Sequence, residues 1–295
     1  MKKLEQKQTA TLEISIEGQS LKDRDKKVAC RLFEECKIPE NEWVCTDYQD
    51  QFKLSYYPRS ATKACQTKQK LLRVQSSKLK VVIKILKRKD WFDKWKKDYH
   101  IRPLGTRFLI VPVWEKHKFK PCKRMPVFLD PGSAFGSGGH ETTRLMVRFL
   151  ELFKNDFQTF LDIGTGTGIL SIVASKLGAS EVVGFDNDKP SAAAARKNFE
   201  LNRCAQGTFF RANLKNYKTK SKFKVVGANL LSKTLLKYKK QITDCVQDGG
   251  HLIVSGIGKK NLKDFQKDFC VFGFKRLKIL RSRNWAAILY RKRAP

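Results

Sequence analysis

The chain has 295 residues, with 61 lysines and arginines against 28 aspartates and glutamates, a formal charge of +33. Hydrophobic residues make up 41%, which excludes a wholly disordered chain, and the length suits two domains. No apolar run reaches the roughly 20 residues that cross a bilayer, and the lysines of the first residues precede no apolar signal core, so a cytoplasmic protein is expected.

A charge of this size draws a protein toward polyanions, with nucleic acid or a ribonucleoprotein the first candidate; lysine-rich composition spread over solvated faces gives the same total. The charge is uneven. Residues 1–50 carry 9 basic and 11 acidic side chains, residues 63–124 carry 20 and 4, and Arg211 to Lys240 contains no acid at all. The eight cysteines include no C-x-x-C pair and the four histidines show no ligand spacing, so buried reduced thiols and no metal site are expected.

Residues 1–88 read as βαββαβ. TATLEISI is a strand, KDRDKKVACRLFEECK a helix, EWVCTDY and QFKLSYY a hairpin, ATKACQTKQKLLRV a second helix and LKVVIKIL a strand. That order predicts a small α+β ferredoxin-like domain that presents a surface without chemistry. Residues 89–104 form a linker helix in which Trp91, Trp95 and Tyr99 recur every four residues, a stripe suited to packing. From 105 to 295, RFLIVPVW is a strand, a basic loop follows, and DPGSAFGSGGHETT leads into a helix. Then TFLDIG, EVVGFD, GTFFRA, FKVVGAN, GHLIVSG, VFGFKRL and AAILYR alternate with mostly helical stretches. The pattern is that of an α/β, mainly parallel, seven-stranded Rossmann-like sheet whose ligand lies beyond the carboxyl ends of the strands.

LDIGTGTGILS puts Gly164, Gly166 and Gly168 on the turn between the first of those strands and its helix. The G-x-G-x-x-G of dinucleotide binders fails, because Ile169 stands at its third position. The spacing D-x-G-x-G-x-G instead resembles the first motif of the class I methyltransferases, which bind S-adenosylmethionine. That donor carries a sulfonium and no phosphate, and Asp162 beside the turn suits a cation. Asp186 ends the next strand, where a carboxylate accepts both hydroxyls of a ribose, and Asn229 ends the fourth, where an amide can meet the amino acid end of the cofactor or a target amine. The residues after it are Leu-Leu rather than the Pro-Pro-Tyr that stacks on planar targets, which favours an aliphatic amine. Thr142 and Thr143 stand in the first turn of the helix after the glycine-rich loop, within reach of a cofactor carboxylate; Gly136, Gly138 and Gly139 let that loop lie on the ligand, and Phe135 can cover it.

DPGSAFGSGGHETT closely resembles the D-P-G-x-A-F-G-T-G-x-H-x-T-T signature of the PrmA ribosomal protein methyltransferases, with Ser137 and Glu141 where the family usually has threonine and proline. DWFDKWKKDY, the D-I-G-x-G-x-G turn, A-N-L-L and L-I-V-S-G-I fit the same family. The resemblance implies an S-adenosylmethionine-dependent enzyme that methylates the large-subunit ribosomal protein numbered eleven, free or on the subunit. It also implies cofactor contacts at Thr143, Gly164, Asp186 and Asn229, with Gly166 beside them.

Methyl transfer from a sulfonium is an in-line displacement that asks chiefly for alignment. Lysine nitrogens, and an α-amine as a further acceptor, are the expected targets; the sequence nominates no general base. Two alternatives stand beside this reading: an RNA methyltransferase holding rRNA through its basic blocks, and a ribosome-associated binding module without catalysis. A monomer is expected.

Overall fold

The computed structural model describes residues 10–19, 31, 35, 43–48, 51–56, 66–67, 69–71, 80–87, 99–130, 136, 138–153, 158–204, 206–219, 221–269 and 272–294. The chain divides into two compact units, Met1–Asp98 and Tyr99–Pro295.

In the first unit, β1 (Ala10–Gln19), β2 (Trp43–Tyr48), β3 (Gln51–Tyr56) and β4 (Lys80–Lys87) form one antiparallel sheet in the order β2-β3-β1-β4. β1 lies between β3 and β4, with Ile14 opposite both Tyr56 and Ile83. All four strands expected from the sequence are present. Of the two expected helices only Arg31, Glu35, Gln66, Thr67 and Gln69 to Leu71 are described, and these are helical; the rest, like Trp91 and Trp95, lies outside the described residues.

The second unit begins with a correction. The linker helix expected over 89–104 does not reach its end, because Arg102–Leu104 is a strand, β5, paired antiparallel with β6 (Phe108–Pro112). Pro103 and the positive φ of Gly105 (62°) favour a strand and tight turn there over a helix. Tyr99 is buried as the aromatic stripe suggested, against Trp114 and under the Arg102 guanidinium. β6 pairs in parallel with β7 (Met125–Leu129), a short strand that the sequence reading left inside a basic loop.

The main sheet has seven strands in the order β10-β9-β8-β11-β12-β14-β13. They are β8 (Thr159–Ile163), β9 (Glu181–Asp186), β10 (Gln206–Arg211), β11 (Phe223–Asn229), β12 (Val246–Gly258), β13 (Phe274–Arg281) and β14 (Trp285–Lys292). β8 to β12 are parallel and only β14 runs against its neighbours. β13 was expected at VFGFKRL and lies about three residues later, after Gly273 in a left-handed conformation.

Helices α1 (Glu141–Leu150), α2 (Ile169–Lys176) and α3 (Lys189–Leu201) cover one face; α4 (Ser232–Lys237), α5 (Lys239–Asp244) and α6 (Leu262–Asp268) cover the other. Strand residues therefore bury both faces: Leu161, Val226, Leu252 and Ile288 meet α4 to α6, while Phe160 and Gly227 meet Met146 of α1. This double burial is why the strands read as continuous apolar runs. Each large side chain so buried contributes roughly 1.5–3 kcal/mol.

Strand order reverses between β8 and β11, whose neighbours lie on opposite sides, and this fixes the cleft at their carboxyl ends. Of the described cysteines only Cys245 is buried; Cys204 is intermediate and Cys122 exposed, so the expectation of uniformly buried thiols fails at the basic loop. Among the described residues no group of side chains could hold a metal ion, and no helix is long and apolar enough to cross a membrane.

Candidate active site

The turn from β8 into α2 is made by main-chain bonds. Gly164 and Thr165 both donate their N–H to the Phe185 carbonyl at the end of β9, at 2.9 and 3.0 Å, and Gly168 donates to Thr165 O at 2.8 Å. Gly164 (φ 73°) and Gly168 (φ 79°) are left-handed. A Cβ on Gly164 would stand 2.6 Å from the Leu230 side chain, and one on Gly168 would press on the backbone of Ala195 in α3. These two glycines are required by the protein's own packing as well as by any ligand.

Two carboxylates brace the turn differently. Asp162 is 1% exposed and accepts from the Ser171 and Thr165 hydroxyls at 2.7 and 2.9 Å. Burial raises its pKa to about 6 despite those bonds. Both bonds fall on Oδ2, so Asp162 ties the strand end to the helix. Asp186 stands at the rim. Its Oδ2 accepts from Gly166 N–H and its Oδ1 from Asp188 N–H, both at 3.0 Å. A carboxylate oxygen has two lone-pair sites, so each keeps one for a hydroxyl.

The opposite wall comes from side chains. Thr143, 1% exposed on α1, and Asn229 at the end of β11 meet with Asn229 Nδ2 3.5 Å from Thr143 Oγ1. Of the residues expected at the site, the structure brings Thr143 to Asn229 and Gly166 to Asp186. Sequence reasoning missed what aims α1. His140 caps the helix, accepting from Thr142 N–H, and its ring stands edge-on to Trp285 at 5.1 Å. Burial lowers the His140 pKa. Glu141 accepts from Ser282 and from Asn284 N–H, fastening the β13–β14 turn to the helix start, which also holds its pKa low.

It also missed Asn198. Fully buried on α3, this side chain accepts from Asp130 N–H at 2.9 Å and donates to the carbonyls of Asp130 and Thr167 at 3.1 and 2.9 Å. Thr167 in turn donates to Gly136 O at 2.6 Å. The glycine-rich loop is thereby joined to the β8–α2 turn at its start, Asp130, and at its middle, Gly136. Two asparagines four apart, Asn198 and Asn202, on the buried side of an alanine-rich helix were the available signal. A Cβ on Gly138 would strike Ile110 and Ile169. Its missing side chain makes room for the core. Phe135 and Ser137 lie outside the described residues.

The family model described as ribosomal protein L11 methyltransferase (PrmA) matches residues 2–293. The chain belongs to this family. Ribosomal protein L11 methyltransferases of Bacillus licheniformis and Dictyoglomus thermophilum are 32% and 36% identical over 213 and 210 residues, covering 72% and 71% of this chain and 68% of each relative. The crystal structure of a ribosomal protein L11 methylase from Lactobacillus delbrueckii subsp. bulgaricus superposes with a TM-score of 0.61 at 31% identity, over 66% of this chain and all of the other. S-adenosylmethionine is the family's methyl donor, and the cleft fits it. Each oxygen of Asp186 keeps a lone pair to which a ribose hydroxyl would donate, and the turn beside it is built of glycines at positive φ. The Thr143–Asn229 pair offers hydroxyl and amide groups to an amino acid end.

Proposed function

We propose that this protein transfers methyl groups from S-adenosylmethionine to amine nitrogens of ribosomal protein L11, lysine side chains foremost and an α-amine as a further acceptor. The observation that carries the choice of an aliphatic amine is the end of β11. Leu230 packs toward Gly164 and Leu231 is 58% exposed, so the position after Asn229 has no aromatic ring on which a base or planar amide could stack. An amine between methylations is free to rotate there.

In this reading Asp186 holds the ribose and the Gly164–Gly166 turn lies against the donor, while Thr143 and Asn229 orient its amino acid end. When bound, the donor supplies a methyl carbon on sulfonium; the amine lone pair forms the C–N bond as the C–S bond breaks, and the amine's proton leaves to solvent. The residues of the chain align the partners and exclude water. A lysine of reference pKa about 10.4 must arrive neutral, and desolvation at an apolar mouth lowers that pKa. We assign no general base. The amino-terminal unit is read as the substrate-recognition element, its strand order being the one a ferredoxin-like domain would have, and the working enzyme as a cytoplasmic monomer.

Family membership weighs against both alternatives, an RNA methyltransferase and a binding module without catalysis. Incubating the protein with methyl-labelled donor and either purified ribosomal protein L11 or naked rRNA tests the proposal. Label should enter the protein and, after peptide mapping, lysine. Label confined to RNA, or to a side chain other than an amine, would sink it.

A further inference from the structure

The carboxy-terminal hairpin and the adjoining side of α1 form a strip of cations that the methyl-transfer chemistry does not use. From Phe269 onward the sequence has no acid. Lys275 of β13 stands directly opposite Arg291 of β14, which stands opposite His251 of β12. Like charges facing each other across strands cost stability, so this register is one that an anion would relieve. His251 packs on Phe153, just after α1, which puts the row on the α1 face of the sheet. Lys278, opposite Leu289 two residues before Arg291, shares that face.

On α1, Glu141 touches the β13–β14 turn, and Arg148 lies two turns further along the same stripe with Arg144 flanking it. All five cations, Arg144, Arg148, Lys275, Lys278 and Arg291, are exposed, and none forms a salt bridge among the described residues.

Composition separates this strip from a merely lysine-rich surface. Arginine supplies 18 of the chain's 61 basic residues, yet three of the strip's five, Arg144, Arg148 and Arg291. Arginine's planar fork, which binds phosphate oxygens in pairs, is concentrated here. Trp285, the aromatic residue on this face of β14, is engaged edge-on with His140 at the opposite end from Arg291, so the cations have beside them no aromatic anchor of the kind that gives a protein interface its affinity. Phosphate contacts need none, and a strand spaces same-face cations by about 7 Å, the order of the distance between successive phosphates.

We infer that the α1–β13–β14 strip is an RNA-docking surface that grips the phosphodiester backbone of rRNA and holds the enzyme beside the particle in which its protein substrate resides. The contact is sequence-independent and stands apart from the question of which amine is methylated.

Anisotropy titrations of the full-length protein against a labelled transcript of large-subunit rRNA, at several salt concentrations, test this. The triple variant Arg148→Gln, Lys278→Gln, Arg291→Gln should bind at least about tenfold more weakly, with a log–log salt slope reduced by about 2 to 3. A control removing the same charge elsewhere, Lys215→Gln, Lys218→Gln, Lys267→Gln, should lose less than about threefold on the same reasoning. The charge-retaining Arg148→Lys, Arg291→Lys protein should keep the slope and lose affinity.

Equal losses in the two triple variants, no RNA binding by the wild type, or equally tight binding to phosphatidylglycerol vesicles or an acidic peptide overturns the inference. Methylation of free ribosomal protein L11 by the strip variant should persist, which shows it folded. Absence of methylation from the wild type too would refute the proposed function and leave the RNA result standing.

Discussion

The two walls of the cleft are built on different principles. Along the β8–β9 wall, main-chain groups bond to one another and two aspartates brace them from behind and from the rim. Along the α1–β11 wall, a threonine and an asparagine 86 residues apart meet at 3.5 Å, and α1 is aimed by a histidine cap and by a glutamate reaching a turn 141 residues away. The first wall is held by main-chain bonds and by the absence of side chains at Gly164 and Gly168, with the two aspartates as its braces. The second depends on distant elements arriving in register.

The largest expected effect concerns the inner brace. Because Asp162 has its pKa raised from 3.8 to about 6 by burial, the folded state favours its protonated form. Its contribution is full below about pH 3.8 and is lost as pH rises toward 6, on the order of 3 kcal/mol in all. Asp162→Asn removes the titration, so the stability of wild type relative to the variant should fall by about that amount between pH 4 and 7 in denaturant melts. A flat difference would mean the carboxylate is not the wall's inner brace.

Asp186→Ala removes the outer brace and the ribose acceptor together, and calorimetry should show cofactor affinity down about a hundredfold, as for two charge-assisted hydrogen bonds. An unchanged affinity would remove Asp186 from the site. Asn198→Ala should cost about 2 kcal/mol, since one buried N–H and two carbonyls lose a partner, and should raise KM for the cofactor more than it lowers kcat. On the side-chain wall, Asn229→Ala should cost about tenfold in cofactor affinity, the worth of one neutral hydrogen bond. If it costs more than Asp186→Ala, the ranking of the walls is reversed.

The same contrast explains what could be read in advance. Gly164, Gly166 and Gly168 were legible because a backbone turn imposes a fixed spacing, and Asp186 because it ends the neighbouring strand. The inner strands β8, β11 and β14 were legible because burial on both faces leaves unbroken apolar runs. β5 and β7 were not: each has five residues or fewer and contains a proline, so no period can show. The bonds of Asn198, and of Glu141 to Ser282, join residues 31 to 141 positions apart, and no local pattern encodes such a meeting. The role of Gly138 was not legible for a related reason. A missing side chain says that something comes close, and whether the visitor is a ligand or Ile110 and Ile169 is decided by tertiary packing.

β14 follows every other described strand along the chain yet lies between β12 and β13. During translation the sheet therefore has to wait: β13 emerges first and has nowhere to dock until residues 285–292 have left the exit tunnel and slotted in beside β12. An enzyme whose family acts on a ribosomal protein thus completes its own catalytic sheet only once β14 has been made, with a strongly cationic nascent segment beside the RNA of the machine that is making it.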